Sequence, residues 1–452
     1  MEKRETSHFD RYMFGILVAI EVLMSFTFLG YVHLPPISIT IAYIPIVVAG
    51  CLFGIKEATL MGLVFGLGSM YKASAAYVMA GDAIFSPFSS TNPFGSIMLS
   101  VGSRVLFGLM MGILFKLAKK GKNVTLKIGL VSFIASKLHA ICVYLAMGCF
   151  FPKMGNMTSS LATNLNDLIL SLFCVLIIEV IYHAYRLEKF QELRTSIDQS
   201  SRNPYVEKRI NHSVYIFAFF IVCMTISAAV YFSNRAVYML TAHQVTVTKI
   251  IKGDLLHLQL QFLFATLALN FISMIILLCI YKYMSYKEYL GELDGLTGVM
   301  GRRMFLYQCN KFQENYKEYD LHNGWFLFMD VDYFKEINDT FGHHIGDKVL
   351  KEIAGNIQKA FSKNGVIGRV GGDEFAVMIQ KEMSQEELTT RLDQLLKECS
   401  KILRDKKVSC SIGVYHFEYP QDMTELMKKT DKVLYKAKHQ GRAQYVLYNE
   451  NN

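Results

Sequence analysis

The sequence predicts a polytopic α-helical membrane region of about eight spans followed by a soluble C-terminal α/β domain. Three observations carry this. Hydrophobic residues make up 52% of the 452 positions and the mean hydropathy is positive, too apolar for an ordinary soluble enzyme. The apolar residues gather in runs of ~20, the length that crosses a bilayer, and the last run ends near residue 282. Beyond it come short alternating apolar stretches with acids and glycines at their ends, the pattern of strands and turns.

Met1 to Arg11 is polar and basic, and the run from about Tyr12 to Val32 is the first span. It lacks a small-residue cleavage site, so it reads as a retained span and not as a signal peptide. Further spans are expected near 39–55, 57–72, 97–118, 126–150 and 163–185, then after a polar interval near 213–233 and 258–282. With eight spans, Lys3, Arg4 and Arg11, Lys119 to Lys127, Arg186 to Arg209, and Lys282 with Lys287 all fall on one side. The opposite loops, 73–96, 151–162 and 234–257, are poorer in charge. The positive-inside rule then puts both termini in the cytoplasm. This topology accounts for the net charge of +9 without nucleic acid as a partner. None of the nine cysteines has metal-site spacing, which fits a reduced compartment.

The first six spans contain Ala42-Tyr43-Ile44-Pro45, then Gly50, Gly54, Gly62, Gly66 and Gly68, and later Ser103-Arg104-Val105-Leu106-Phe107-Gly108 and Gly112. Small residues at these spacings allow close helix packing in lipid. This region resembles the substrate-binding S component of energy-coupling-factor vitamin transporters. The resemblance implies a six-span sensor region over 1–190 that takes a small vitamin-like ligand at its outer face, with Asp82, Ser86, Ser89, Ser90 and Asn92 beside 151–162. Gly15 and Ala19 keep the small-residue step of such a first helix, but Leu23 breaks it, which favours a sensor over a working transporter. Glu21, Arg104, Lys137 and Glu179 fall within apolar spans, where an ion costs ~2.5–3.5 kcal/mol, so each needs a partner or a water-lined cavity.

A polar, cytoplasmic linker follows over 191–212, with a helix expected to end before Pro204. A two-span hairpin occupies 213–282, and a signalling helix over 283–293 leads without a Gly or Pro break before Gly291 into the soluble domain, 294–452.

That domain is organised around Arg369-Val370-Gly371-Gly372-Asp373-Glu374-Phe375. Val366 to Val370 and Phe375 to Ile379 read as two strands joined at the paired glycines. Gly371 and Gly372 let a phosphate approach the backbone, and Asp373 and Glu374 stand where they can hold a divalent cation against it. Upstream, Trp325 to Met329 is a buried-strand run that ends in Asp330-Val331-Asp332, carboxylates at the ligand-binding rim of a sheet. Lys335, Asn338 and Asp339 share one face of the helix that follows.

These segments, with Asp294-Gly295-Leu296-Thr297-Gly298, Ser411-Ile412-Gly413 and Asp431 to Arg442, resemble the GGDEF domain of diguanylate cyclases. The resemblance implies a nucleotide-cyclase-like fold, a central antiparallel-type sheet flanked by helices. It also implies condensation of two GTP into cyclic di-GMP with release of two pyrophosphates, at a bacterial inner membrane. By this resemblance Asp330 and Asp373 hold two Mg²⁺ or Mn²⁺ ions with the Val331 carbonyl, and Glu374 lies by the metals and the ribose 3′-hydroxyl. Lys335, Lys438 and Arg442 contact the β- and γ-phosphates, with Gly371 and the backbone near Phe334 closing round them. Asn338 and Asp347 bond the guanine edge. Each domain holds one GTP and the product joins two, so a homodimer is required.

Other readings stay open at single positions. Asp332 either caps the following helix or joins the metal set, His343 and His344 read as structural in a Gly-His turn, and Lys438 with Arg442 is also a solvated basic face near a helix end. An Arg-x-x-Asp product-binding pair is replaced by Ser362 and Gly365, so no product-inhibition site is expected. Two other functions compete, a catalytically silent receptor for GTP or cyclic di-GMP and a transport subunit with an appended regulatory domain.

Overall fold

The computed structural model describes residues 7–34, 37–75, 82–152, 165–202, 212–314, 324–403, 407–418 and 420–449. The chain divides into two compact units, Met1–Tyr286 and Lys287–Asn452.

In the first unit the helices are α1 (His8–Phe26), α2 (Ile44–Leu52), α3 (Ile55–Lys72), α4 (Pro93–Ile97), α5 (Ser103–Ala118), α6 (Val124–Phe150), α7 (Leu165–Arg186), α8 (Glu188–Arg202), α9 (His212–Ala242) and α10 (Lys249–Gly291), the last running past the division. A π turn, Met98–Gly102, joins α4 to α5, and a short hairpin, β1 (Tyr31–Leu34) with β2 (Ile37–Thr40), precedes α2.

Among the described residues five helices are long and apolar enough to cross a membrane: Pro93–Ala118, Val124–Phe150, Asp167–Arg186, Ile216–Ala242 and Lys249–Gly291. The expected span at 39–55 is corrected. It holds the end of β2 and the nine residues of α2, which at 1.5 Å per residue reach about 14 Å against the ~30 Å of a hydrocarbon core. α1 and α3 are helical as expected over 19 and 18 residues, but fall outside the five. The connection expected at 234–257 is also shorter, because α9 continues to Ala242 and α10 begins at Lys249.

Glycines set the closest packing in this unit. A Cβ on Gly66 of α3 would stand 2.7 Å from the Val101 Cα, and one on Gly112 of α5 2.6 Å from the Ile55 Cα, so α3 and α5 meet backbone to backbone. The in-span charges find local contacts. Lys137 Nζ pairs with Asp167 at 2.7 Å, Glu179 lies 3.4 Å from His183, and Glu21 accepts from Ser25 Oγ at 3.3 Å. Of the loop expected to line a ligand pocket, 76–81 and 153–164 lie outside the described residues. In the described part Ser86 bonds Ser74 at 2.8 Å, and Asn92 caps α4 through Gly95 N at 3.0 Å and reaches the Phe150 carbonyl at 3.3 Å. These groups are engaged in holding the loop.

Helix α8 ties two other helices together. Its Asp198 accepts from Ser7 Oγ at 2.5 Å and Phe9 N at 3.0 Å, Arg194 pairs with Asp10 at 2.7 Å, Ser201 accepts from Lys282 of α10 at 3.0 Å, and Gln199 accepts from Tyr286.

The second unit is built on a six-stranded sheet in the order β3-β5-β6-β4-β7-β8. The strands are β3 (Met300–Gly301), β4 (Gly324–Val331), β5 (Gly365–Arg369), β6 (Glu374–Ile379), β7 (Cys410–Phe417) and β8 (Tyr445–Asn449). The four central strands pair antiparallel, as expected, but both edges are parallel, β3 on β5 and β8 on β7. The sheet is therefore mixed. Short edge strands of low sequence contrast gave no signal of their direction.

Its helices are α11 (Arg302–Glu314), α12 (Phe334–Phe341), α13 (His343–Phe361), α14 (Gln385–Cys399) and α15 (Met423–His439). Alternation along β4 sorts its two faces. Trp325, Leu327, Met329 and Val331 enter the core with Ile353, Ile357 and Leu392 of α13 and α14. Phe326 faces the other way, 6.2 Å from the Phe305 ring of α11. Parity puts Asp330 on that second face, where α15 lies. Gly413 of β7 lets α15 come close: a Cβ there would stand 2.6 Å from the Thr430 carbonyl.

Candidate active site

The site forms where β4 ends beside the β5–β6 hairpin. Register brings Asp330 directly opposite Glu374, and Val331 N donates to the Asp373 carbonyl at 3.2 Å, so the hairpin tip is fixed against the end of β4. The turn closes through Val370 N to the Glu374 carbonyl at 3.0 Å. The Glu374 carboxylate lies over Gly371 so closely that a Cβ there would push it aside, whereas Gly372 faces open space.

Lys438 of α15 reaches Asp330 with Nζ 2.8 Å from Oδ1. Burial raises the Asp330 carboxyl above the ordinary aspartate value; Lys438 opposes this and the Asp373 and Asp332 charges add to it. Glu374 is raised in the same direction by burial and by the charges of Asp330 and Asp373. The register thus forces like charges together with one lysine between them.

Among the described residues no three His, Cys, Asp or Glu side chains already converge at metal-holding distance. The donor chemistry nevertheless fits a hard divalent cation, which takes carboxylate oxygens. Asp330, Asp373 and Glu374 would hold it with the Val331 carbonyl, and its charge would relieve the repulsion that raises two of them.

The residues expected at the guanine edge come together differently. Gly346 of α13 packs against Asn338 Oδ1 and the Phe334 ring so closely that a Cβ would strike the amide, which sets Asn338 beside the turn of helix carrying exposed Asp347. Lys335 is exposed on α12. His343 and His344 are corrected from turn residues to the exposed first residues of α13. Arg442 is likewise not on the helix of Lys438, which ends at His439; it follows Gly441 in a left-handed turn (φ 60°) with its guanidinium 4.6 Å from the Tyr333 ring centre.

Three further residues support the site: Asp332, which the sequence left between a helix cap and the metal set, and Asp294 and Arg369, to which it gave no role. Asp332 does not cap α12, whose N-cap is Tyr333 with no side-chain bond. It is buried and accepts from Ser409 Oγ and Ser411 Oγ, each at 2.7 Å, and from Ala443 N at 3.1 Å. It thereby holds two strained turns, since Tyr333, Arg442 and Ala443 all have positive φ (53°, 60° and 52°). Arg369 donates to the Gly372 carbonyl at 3.1 and 2.6 Å and to Asp294 Oδ1 at 3.0 Å. Asp294 also accepts from Thr297 N at 2.9 Å. The only sequence signal was that Asp294 and Arg369 each lie in a motif.

The family model described as diguanylate cyclase, GGDEF domain, matches residues 291–444. This part of the chain is a GGDEF domain. The GGDEF domain is 37% identical over 154 residues to the probable diguanylate cyclase DgcI of Escherichia coli, covering 34% of this chain and 32% of that protein. It is 37% identical over 129 residues to the bifunctional diguanylate cyclase/cyclic di-GMP phosphodiesterase MucR of Pseudomonas aeruginosa, covering 27% and 18%. A solved structure of the active GGEEF domain of a diguanylate cyclase from Vibrio cholerae is 27% identical, covers 33% of this chain and 96% of that one, and superposes with a TM-score of 0.30. The chain spans less than half the length of the curated relatives named here.

Proposed function

We propose that this protein is a membrane-bound diguanylate cyclase that condenses two GTP into cyclic di-GMP and two pyrophosphates. The observation that carries the reading is the register of Asp330 against Glu374, with Asp373 fixed beside them. Mg²⁺ or Mn²⁺, when bound, would polarise the phosphoryl oxygens and stabilise attacking and leaving oxygens. Asp330, Asp373 and Glu374 hold the cations, and Lys438, Lys335 and Arg442 supply point charges and a planar fork to the phosphates. Asn338 and Asp347 select guanine, because adenine lacks the N1 and N2 hydrogens that Asp347 accepts.

Two GTP-loaded domains must face one another as a homodimer, which supplies proximity worth ~7–11 kcal/mol of the barrier. The membrane unit, read as an S-component-like sensor over 1–190 with both termini cytoplasmic, biases that alignment. Support for this route is the set of bonds by which α8 joins α1 to α10. No product-inhibition pair operates: a Cβ at Gly365 would run into the Met378 carbonyl, so an acid has no room there.

The test is synthesis by full-length purified protein with GTP and Mg²⁺, beside Asp373→Ala. Cyclic di-GMP from the former and none from an equally inserted latter is expected. A folded dimer that makes no product overturns the reading in favour of a silent receptor.

A further inference from the structure

We propose that the first unit holds an acyl chain of a bilayer phospholipid in a cavity between α1, α9 and α10. The proposal rests on the reading of this unit as a membrane region and names the lipid that completes its packing.

α9 and α10 are antiparallel legs, and toward the turn that joins them they are in contact. Phe232 stacks on Phe262 with ring centres 6.0 Å apart, Asn270 Nδ2 donates to Thr225 Oγ1 at 2.6 Å, and Ala229 and Ala265, level with each other between those two rungs, are buried. Counting on down the legs brings Phe217 level with Leu277, and these are 63% and 60% exposed. The legs have parted there. The gap is a cavity of about 770 Å³, within the size range of small-molecule sites between helices. It follows α10 from Phe264 to Tyr281, about 25 Å at 1.5 Å per residue.

None of the residues lining the cavity is charged. Its polar side chains other than Tyr281, at one end, are bonded to the chain: Asn270 to Thr225, and Ser273 Oγ to the Leu269 carbonyl at 3.0 Å. A buried water needs about two to four polar partners, so water does not fill the gap; left empty, it forfeits dispersion contacts on every wall. Shape then selects among apolar occupants. Val18 and Val22 of α1 line the cavity at the level of Phe264 to Phe271, fixed by the Phe26–Phe264 stack at 5.4 Å and by Gly15 lying against Phe271 and Ile275. Phe217 to Val222 of α9 line it instead at the level of Ser273 to Leu278. The cavity therefore steps from the α1 side of α10 to its α9 side. A flexible hydrocarbon chain follows that step over most of the ~30 Å of a hydrocarbon core, and a helix of a second copy, a rigid cylinder about 10–12 Å across, does not.

The test uses full-length protein in phosphatidylcholine nanodiscs doped with a phosphatidylcholine that carries a diazirine halfway along one acyl chain, with labelled residues mapped by mass spectrometry. Irradiation in the nanodisc should label Leu172 and Leu176, exposed on α7; no label there sinks the membrane reading and this proposal together. After a detergent wash that strips the bulk lipid, label should persist on Ile221, Met274 and Leu277 and vanish from α7. Label lost from both sinks this proposal alone. Ala218→Trp places an indole in the cavity and should cut the retained label by about tenfold or more; where that variant fails to fold, Met274→Trp replaces it, read at Ile221 and Leu277. Undiminished label in a folded variant overturns the proposal. A disulfide between two Ala218→Cys subunits assigns the cavity to a second copy and overturns it as well.

Discussion

The Lys438 ammonium lies 2.8 Å from Asp330 Oδ1, on a carboxylate proposed above to hold a metal ion. In the metal-free protein this lysine balances an acid cluster that the sheet register creates, and it competes with any divalent cation for the same oxygen.

Replacing Lys438 by Met is therefore expected to have opposite effects on two measurements. Metal-free stability falls by about 1 kcal/mol, since both groups keep some solvent contact. Mg²⁺ binding tightens several-fold because its competitor is gone, while cyclic di-GMP synthesis drops by about 10–100-fold through loss of a charge on the phosphates. Titration calorimetry with Mg²⁺ checks the binding, and weaker Mg²⁺ affinity in the variant would contradict the competition.

Glu374 gives a pH test. Burial and the charges of Asp330 and Asp373 raise its carboxyl above the ordinary glutamate value, so the folded state binds that proton more tightly than the unfolded chain. The resulting destabilisation is full above the raised folded value and is relieved as pH falls through it to below the ordinary value. Glu374→Gln should thus raise the metal-free melting temperature at pH 8 by about 2–4 °C, and the gain should vanish as the pH drops through the carboxylate range. Trp325, the one tryptophan, is buried in the GGDEF unit, so its fluorescence follows this unit alone. A gain that persists at low pH would count against the account.

Asp294 carries the reverse sign. Burial raises its carboxyl, but hydrogen bonds from Thr297 and Arg369 outweigh that and hold it below the ordinary aspartate value. Its contribution is present above the unfolded value and is lost as pH falls through the depressed one. Arg369→Met removes the guanidinium donors to Asp294 and to the Gly372 carbonyl and leaves those of Thr297 in place. It is expected to cost about 1–2 kcal/mol and to lower kcat more than it raises the KM for GTP. An unchanged kcat would show that the hairpin tip needs no such tether.

Asp332→Ala leaves two serine hydroxyls and the Ala443 N–H without their acceptor. The expected loss is about 3–5 kcal/mol, near the top of the range for single substitutions, read from urea unfolding of the GGDEF unit by Trp325 fluorescence. Asp332→Asn should recover part of it. A loss within about 0.5 kcal/mol, the range of an ordinary surface change, would show that the two left-handed turns are held by something else.

Much of the fold and site was legible from the chain alone. Apolar run length marked the long apolar helices of the first unit, strand alternation marked β4, β5 and β6, and motif spacing named Asp330, Asp373, Glu374 and Lys438 as candidates. These are local signals: a period, a run, or a residue type at a fixed offset. The span expected at 39–55 failed because apolar composition does not separate a short buried helix from one that crosses lipid. Arg442 was placed on a helix because i, i+4 spacing does not reveal that Gly441 ends it.

Sequence by itself named the candidate residues for the chemistry and placed them on a GGDEF domain that follows a run of long apolar helices. Only the tertiary structure decided that Lys438 rests on Asp330, that Asp332 secures two strained turns, and that Arg369 tethers the hairpin to Asp294. Those pairings join segments tens of residues apart through strand register, glycine-permitted close approach and side-chain direction. None of these is a property of a residue or of its near neighbours in the chain.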